Sequence, residues 1–123
     1  MDISLEQFEE LVREAIDAIP DEYSDVHNNV VFKVADRPSE EQVKRANLQP
    51  HSSLLGLFEG VTRPQRSGGA SGTLPSVITV YRRPMIDMFK NIHGLKKQVY
   101  ETVWHEVAHY FGLNHQAIKL AKK

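Results

Sequence analysis

An α+β fold, with a small mixed or antiparallel sheet of three or four strands packed against amphipathic helices, follows from three features of the sequence. Apolar residues recur at helical intervals over 5–19 and again over 96–111, three short runs rich in β-branched and aromatic residues lie between them, and turn-forming residues separate the runs. At 123 residues the chain is sized for a single domain spanning 1–123.

Each element has its own local cause. Ser4 and Gln7 have the spacing of a capping box, and Leu5, Phe8, Leu11, Val12, Ala15, Ile16 and Ile19 form one apolar face until Pro20 stops the helix. Packing is the role this pattern predicts. Val30-Val31-Phe32-Lys33-Val34 predicts the first strand, and after Pro38 the segment SEEQVKR predicts a short helix capped by Ser39. LLGLFEG, from Leu54 to Gly60, and VITVY, from Val77 to Tyr81, predict the second and third strands. Between them RPQRSGGASGTLPS, from Arg63 to Ser76, predicts a long flexible loop placed to border a substrate cleft. Its glycines lack the Gly-Lys-Ser or Gly-Lys-Thr ending of a phosphate-binding loop. Pro84 predicts the start of a short helix running through Phe89, with Gly94 at its end.

Composition narrows the chemistry. Apolar residues at 41%, charged residues at 25% and a net charge of -1 describe an ordinary globular protein, with no electrostatic basis for a nucleic-acid partner. Without cysteine there is no disulfide, thiol nucleophile or thiolate ligand, so a transition-metal site must use histidine and carboxylate. No run approaches the ~20 apolar residues that cross a bilayer. The start MDISLEQFEE is acidic where a signal peptide is positively charged, which predicts a cytosolic protein with no membrane partner.

The last helix carries the chemistry, in the stretch HEVAHYFGLNH from His105 to His115. On a helical wheel Val99, Tyr100, Val103, Trp104, Val107, Ala108, Tyr110 and Phe111 fill a broad apolar arc that predicts core, Trp104 included. His105 and His109 project from the other side, about 40° and about 6 Å apart, so their imidazoles can converge on one ion. Gly112 stands where a left-handed residue ends a helix, and the returning chain can bring His115 to the same ion as a third ligand, leaving a fourth position open. Glu106, beside the first ligand, is placed to take a proton from water at that open position without binding the metal. Chance gives this long pattern on the order of once in ten thousand such sequences, against about once in fifty for His-Glu-x-x-His alone.

HEVAHYFGLNH resembles the extended zinc signature of metzincin metallopeptidases. With LLGLFEG and ITVYRRP upstream, the region from about 50 to 116 resembles the small bacterial zincin-like metallopeptidases called minimal zincins. The resemblance implies a small zincin-like fold with the metal helix near the C-terminus, one Zn2+ held by His105, His109 and His115, Glu106 as general base, and a peptide or protein substrate. It also implies an edge strand that aligns an extended peptide, for which Val77–Tyr81 is the nearest segment. Two family features depart. Met1, Met85 and Met88 all precede the third ligand, so there is no methionine turn, and no glutamate follows His115 to serve as a gluzincin ligand. The eight residues from Gln116 to Lys123 are too few for a second catalytic subdomain, which predicts an open cleft with weak substrate selection.

Zinc-assisted peptide hydrolysis is the leading expectation, with a zinc-binding recognition domain and a zinc-dependent amidase for small substrates as alternatives. Tyr81, Arg82, Arg83 and Tyr110 are candidate donors to a developing oxyanion, and each is also explained by packing or solvation. Glu101, one turn before His105, and Glu59 are candidates to orient a ligand imidazole. His27, His51 and His93 have no partner pattern and read as surface residues.

Overall fold

A computed structural model describes residues 2–46, 54–63 and 76–113. The long helix α1 (Leu5–Asp17) begins at a complete capping box: Ser4 Oγ accepts from Gln7 N–H at 3.1 Å, and Gln7 Oε1 accepts from Ser4 N–H at 2.9 Å. Two orphan amides of the first turn are thereby satisfied at once. A 3-10 turn (Asp21–Tyr23) and a one-turn helix α2 (Val26–Asn29) lead into β1 (Val30–Ala35). Helix α3 (Glu40–Ala46) follows, and Ser39 and Gln42 repeat the reciprocal cap of α1. Then come β2 (Gly56–Glu59), β3 (Ser76–Tyr81), a short α4 (Arg82–Ile86) and the 19-residue α5 (Ile92–Tyr110).

The three strands form a mixed sheet in the order β1-β3-β2. β1 runs parallel to β3, Val30 opposite Ser76, while β2 runs antiparallel to it, Phe58 opposite Ile78. The expected strands are thus present to within a few residues, but VITVY is the central strand, not an edge. Both of its sides are paired, which leaves no ladder groups for a peptide, and the edge beside the last helix belongs to β2.

One sheet face, with Ile78 and Val80 fully buried, packs under α1 and α5. Phe8, Leu11, Val12 and Ala15 of α1 meet Leu95, Val99, Val103 and Trp104 of α5 in one core. Trp104 is 1% exposed and its ring meets Tyr23 edge-on at 4.8 Å, so truncating it to alanine would cost about 3–5 kcal/mol. Arg82, 9% exposed, ties the segment before α1 to the end of β1: Nε donates to Ile3 O at 2.7 Å, and Nη1 pairs with Asp36 at 2.5 Å.

Helix α5 starts four residues before the expected 96. Gly94 does not close the preceding helix; it lies in the first turn of α5, where Asn91 Oδ1 caps its N–H at 2.9 Å. A β-carbon there would meet Phe89 Cδ1 at 2.8 Å, which gives the glycine a packing reason instead of a termination role. At the other end Gly112 is left-handed (φ 75°) as expected, with Gly112 N–H donating to His109 O at 2.9 Å and Leu113 N–H to Ala108 O at 3.0 Å. Those two bonds make a Schellman ending. No helix among the described residues is long and apolar enough to cross a membrane.

Candidate metal centre

Successive turns of α5 put His105 and His109 side by side, their ring centroids 4.5 Å apart and their planes inclined at 66°. One donor atom from each, with one carboxylate oxygen of Glu106, fall within 4.8 Å of one another. The imidazoles are partly exposed, whereas Glu106 is 6% exposed. A carboxylate that deep needs donors, and it has two on the same oxygen. Phe58 N–H, on the outer side of β2, donates to Glu106 Oε1 at 2.9 Å, and His109 Nδ1 lies 3.2 Å from it.

The contact with Glu106 governs His109. The hydrogen bond from Nδ1 raises the imidazole pKa above its usual value, burial opposes this, and the carboxylate charge adds to it. In the neutral ring the same bond places the proton on Nδ1, leaving the Nε2 lone pair for an ion.

Two depressions flank the cluster, and Gly56, His105 and Glu106 line both. One, of about 440 Å³, is walled by Leu54, Leu57 and Phe58; the other, of about 250 Å³, by Gln98, Glu101 and Thr102. The family model of the zincin-like metallopeptidases matches residues 27–122, a span that takes in the cluster, β2 and β3. The chain belongs to the zincin-like metallopeptidase family. Among solved structures, a conserved hypothetical protein from T. thermophilus is similar over 97% of this chain and 98% of its own, at 16% identity and a TM-score of 0.57, a likeness of fold. No curated protein matches the chain. Membership of the zincin-like family and the His105–Glu106–His109 cluster together support a zinc-binding protein.

Within this zincin-like framework the remaining expected site residues divide. Glu101 lines the depression beside His105. Glu59 orients neither His105 nor His109; among the described residues it pairs with Arg45 at 2.6 Å and accepts from Gln42 at 3.3 Å on the α3 side. Three of the four candidate oxyanion donors are buried. Tyr110 is fully buried and its hydroxyl donates to Asp25 at 2.8 Å, Arg82 is spent on Ile3 O and Asp36, and Tyr81 is enclosed with its hydroxyl unbonded among the described residues. Burial first, then the charge of Glu59, pushes Tyr81 up to about 12, so it stays protonated at neutral pH. Arg83 is half-buried, 3.9 Å from Asp87. His27 and His93 are exposed, as expected. His115, His51 and the loop residues 64–75 lie outside the described residues. Phe58 has no counterpart among the residues the sequence nominates, because its contribution is a backbone amide and leaves no residue-type signal.

Proposed function

We propose that this protein is a zinc-dependent peptide hydrolase in which His105, His109 and His115 hold the metal and Glu106 is the general base. The observation that carries the reading is the convergence of two imidazoles and a buried carboxylate on adjacent turns, open to two depressions. The donor set fits zinc: neutral imidazole nitrogens on one helical face, with a carboxylate close by but already engaged through Oε1 by Phe58 N–H and His109. When bound, zinc acidifies water and polarises a carbonyl.

The chain supplies the rest. Glu106 takes the proton of the attacking water and passes it to the leaving nitrogen, while its bond to Phe58 fixes where the carboxylate stands. His109, by donating Nδ1–H to Glu106, keeps Nε2 toward the metal position. The substrate lies across the cluster, one side against Leu54, Leu57 and Phe58 and the other against Gln98, Glu101 and Thr102.

A second reading, a zinc-binding recognition domain with little catalysis, is favoured by the burial of Tyr81, Arg82 and Tyr110, which leaves Arg83 alone among the named oxyanion donors. Glu106→Gln separates the two. Assayed against a peptide library at matched zinc occupancy, the variant should bind zinc as wild type and lose about a hundredfold or more in turnover. Wild-type turnover in Glu106→Gln would remove Glu106 from its role. Absent turnover in wild type with tight zinc binding would leave the recognition domain.

A further inference from the structure

Gly56 lies where α5 packs against β2. A β-carbon on it would meet Thr102 Cγ2 at 2.7 Å, Thr79 O at 3.3 Å and Glu106 Cγ at 3.5 Å. The first of these distances is one that real side chains do not tolerate, and the second is backbone that cannot rotate away. Thr79 O belongs to β3 and has only a few tenths of an ångström to give, so a side chain at 56 is directed against Thr102 and strains the seat of α5 on β2. The ladder shows what that strain would break. Tyr81 N–H donates to Leu55 O at 2.9 Å, so Leu55 and Leu57 turn their backbone groups toward β3, while Gly56 and Phe58 turn theirs outward. The outward Phe58 N–H is the donor that reaches Glu106 Oε1.

We propose that Gly56 is a positioning residue for the hydrolysis inferred above: its missing side chain seats α5 against β2 closely enough for the Phe58 amide to clamp the Glu106 carboxylate. The clamp joins residues 48 apart in sequence, and it gives the glycine of LLGLFEG a purpose that strand formation does not, since glycine has low strand propensity. A lone side-chain carboxylate swings through several rotamers, whereas one tethered to a strand amide presents a fixed oxygen to the water beside it. The proposal depends on Glu106 being the base, but the clamp itself can be observed without turnover.

The experiment is a steric rescue. Gly56→Ala, Thr102→Ser and the double variant are compared with wild type by amide hydrogen exchange, zinc affinity and steady-state kinetics. Thr102→Ser removes Cγ2, the nearest obstacle, and keeps the hydroxyl that accepts from Gln98 Nε2 at 3.0 Å. In Gly56→Ala the Phe58 amide should exchange at least about tenfold faster while Leu57, bonded within the sheet, stays protected. kcat should fall about tenfold to a hundredfold with KM and zinc affinity within about twofold of wild type. The double variant should recover most of both losses. Glu106→Ala supplies a further arm that leaves the glycine intact: it should release the Phe58 amide alone. Unchanged Phe58 protection in Glu106→Ala, or a folded Gly56→Ala that keeps both Phe58 protection and kcat, overturns the proposal. A double variant no better than Gly56→Ala overturns it as well. If wild type proves inactive on every peptide, the exchange results still decide the clamp, and only the hydrolytic reading fails.

Discussion

On α1 the polar residues Glu6, Glu9, Glu10, Arg13 and Glu14 all stand in solvent, whereas on α5 the polar face is held against the sheet, with Thr102 and Glu106 buried and Glu101, His105 and His109 partly so. The two helices pack on one another through similar apolar stripes, so the contrast lies in what each turns away from the core. The ion pair of Arg13 with Glu10 is surrounded by water that would solvate either partner as well. Glu106 has no such alternative and must be satisfied by Phe58 and His109. Polar residues become a site here because a strand edge has been brought against them.

The largest expected break in this contrast is His109→Ala. Removing one of the three proposed ligands should weaken zinc binding by something on the order of a hundredfold or more and abolish turnover, measured by competition with a chelating dye and by peptide assay. Next comes removal of the metal from wild type. At free zinc a hundred times the dissociation constant, binding adds about 2.7 kcal/mol of stability, so chelation should lower the melting temperature of wild type and scarcely that of His109→Ala.

A smaller effect concerns pH in the metal-free protein. Because Glu106 raises the His109 pKa above the usual 6.5, the pair's contribution is fully present below the unfolded histidine value and is lost as pH rises through the folded one. With the His109 side chain 41% exposed, solvent screening keeps the effect well under ~1 kcal/mol. The stability difference between wild type and His109→Gln, followed by thermal unfolding, should shrink as pH rises above the usual histidine value of 6.5. Smallest of all, Glu10→Ala combined with Arg13→Ala should change stability by no more than about 0.5 kcal/mol and leave zinc binding alone. A larger change would mean that the α1 face is not simply solvated.

What can be read from sequence follows from distance along the chain. The capping boxes at Ser4 and Ser39, the left-handed turn at Gly112 and the His105/His109 face depend on residues within a few positions of one another, and all are present. The order of the strands depends on pairing between distant segments, so VITVY, named as the edge strand through the resemblance alone, is the centre of the sheet. Arg82 and Tyr110 look available for chemistry in sequence because their partners, Ile3 and Asp25, lie 79 and 85 residues away. Glycine signals both a helix end and a close approach, and at Gly94 the Asn91 cap and the Phe89 ring distinguish the two.

In the proposed centre the polar face of α5 holds one metal through histidines while Glu106 stands off it. A crystal structure of the zinc-loaded protein, with anomalous scattering recorded at the zinc edge, tests this most directly. The expected result is about one zinc per chain bound by His105, His109 and His115 at ~2.0–2.1 Å, with Glu106 Oε1 still on the Phe58 amide. His115 pointing into solvent, or Glu106 itself on the metal, would contradict it.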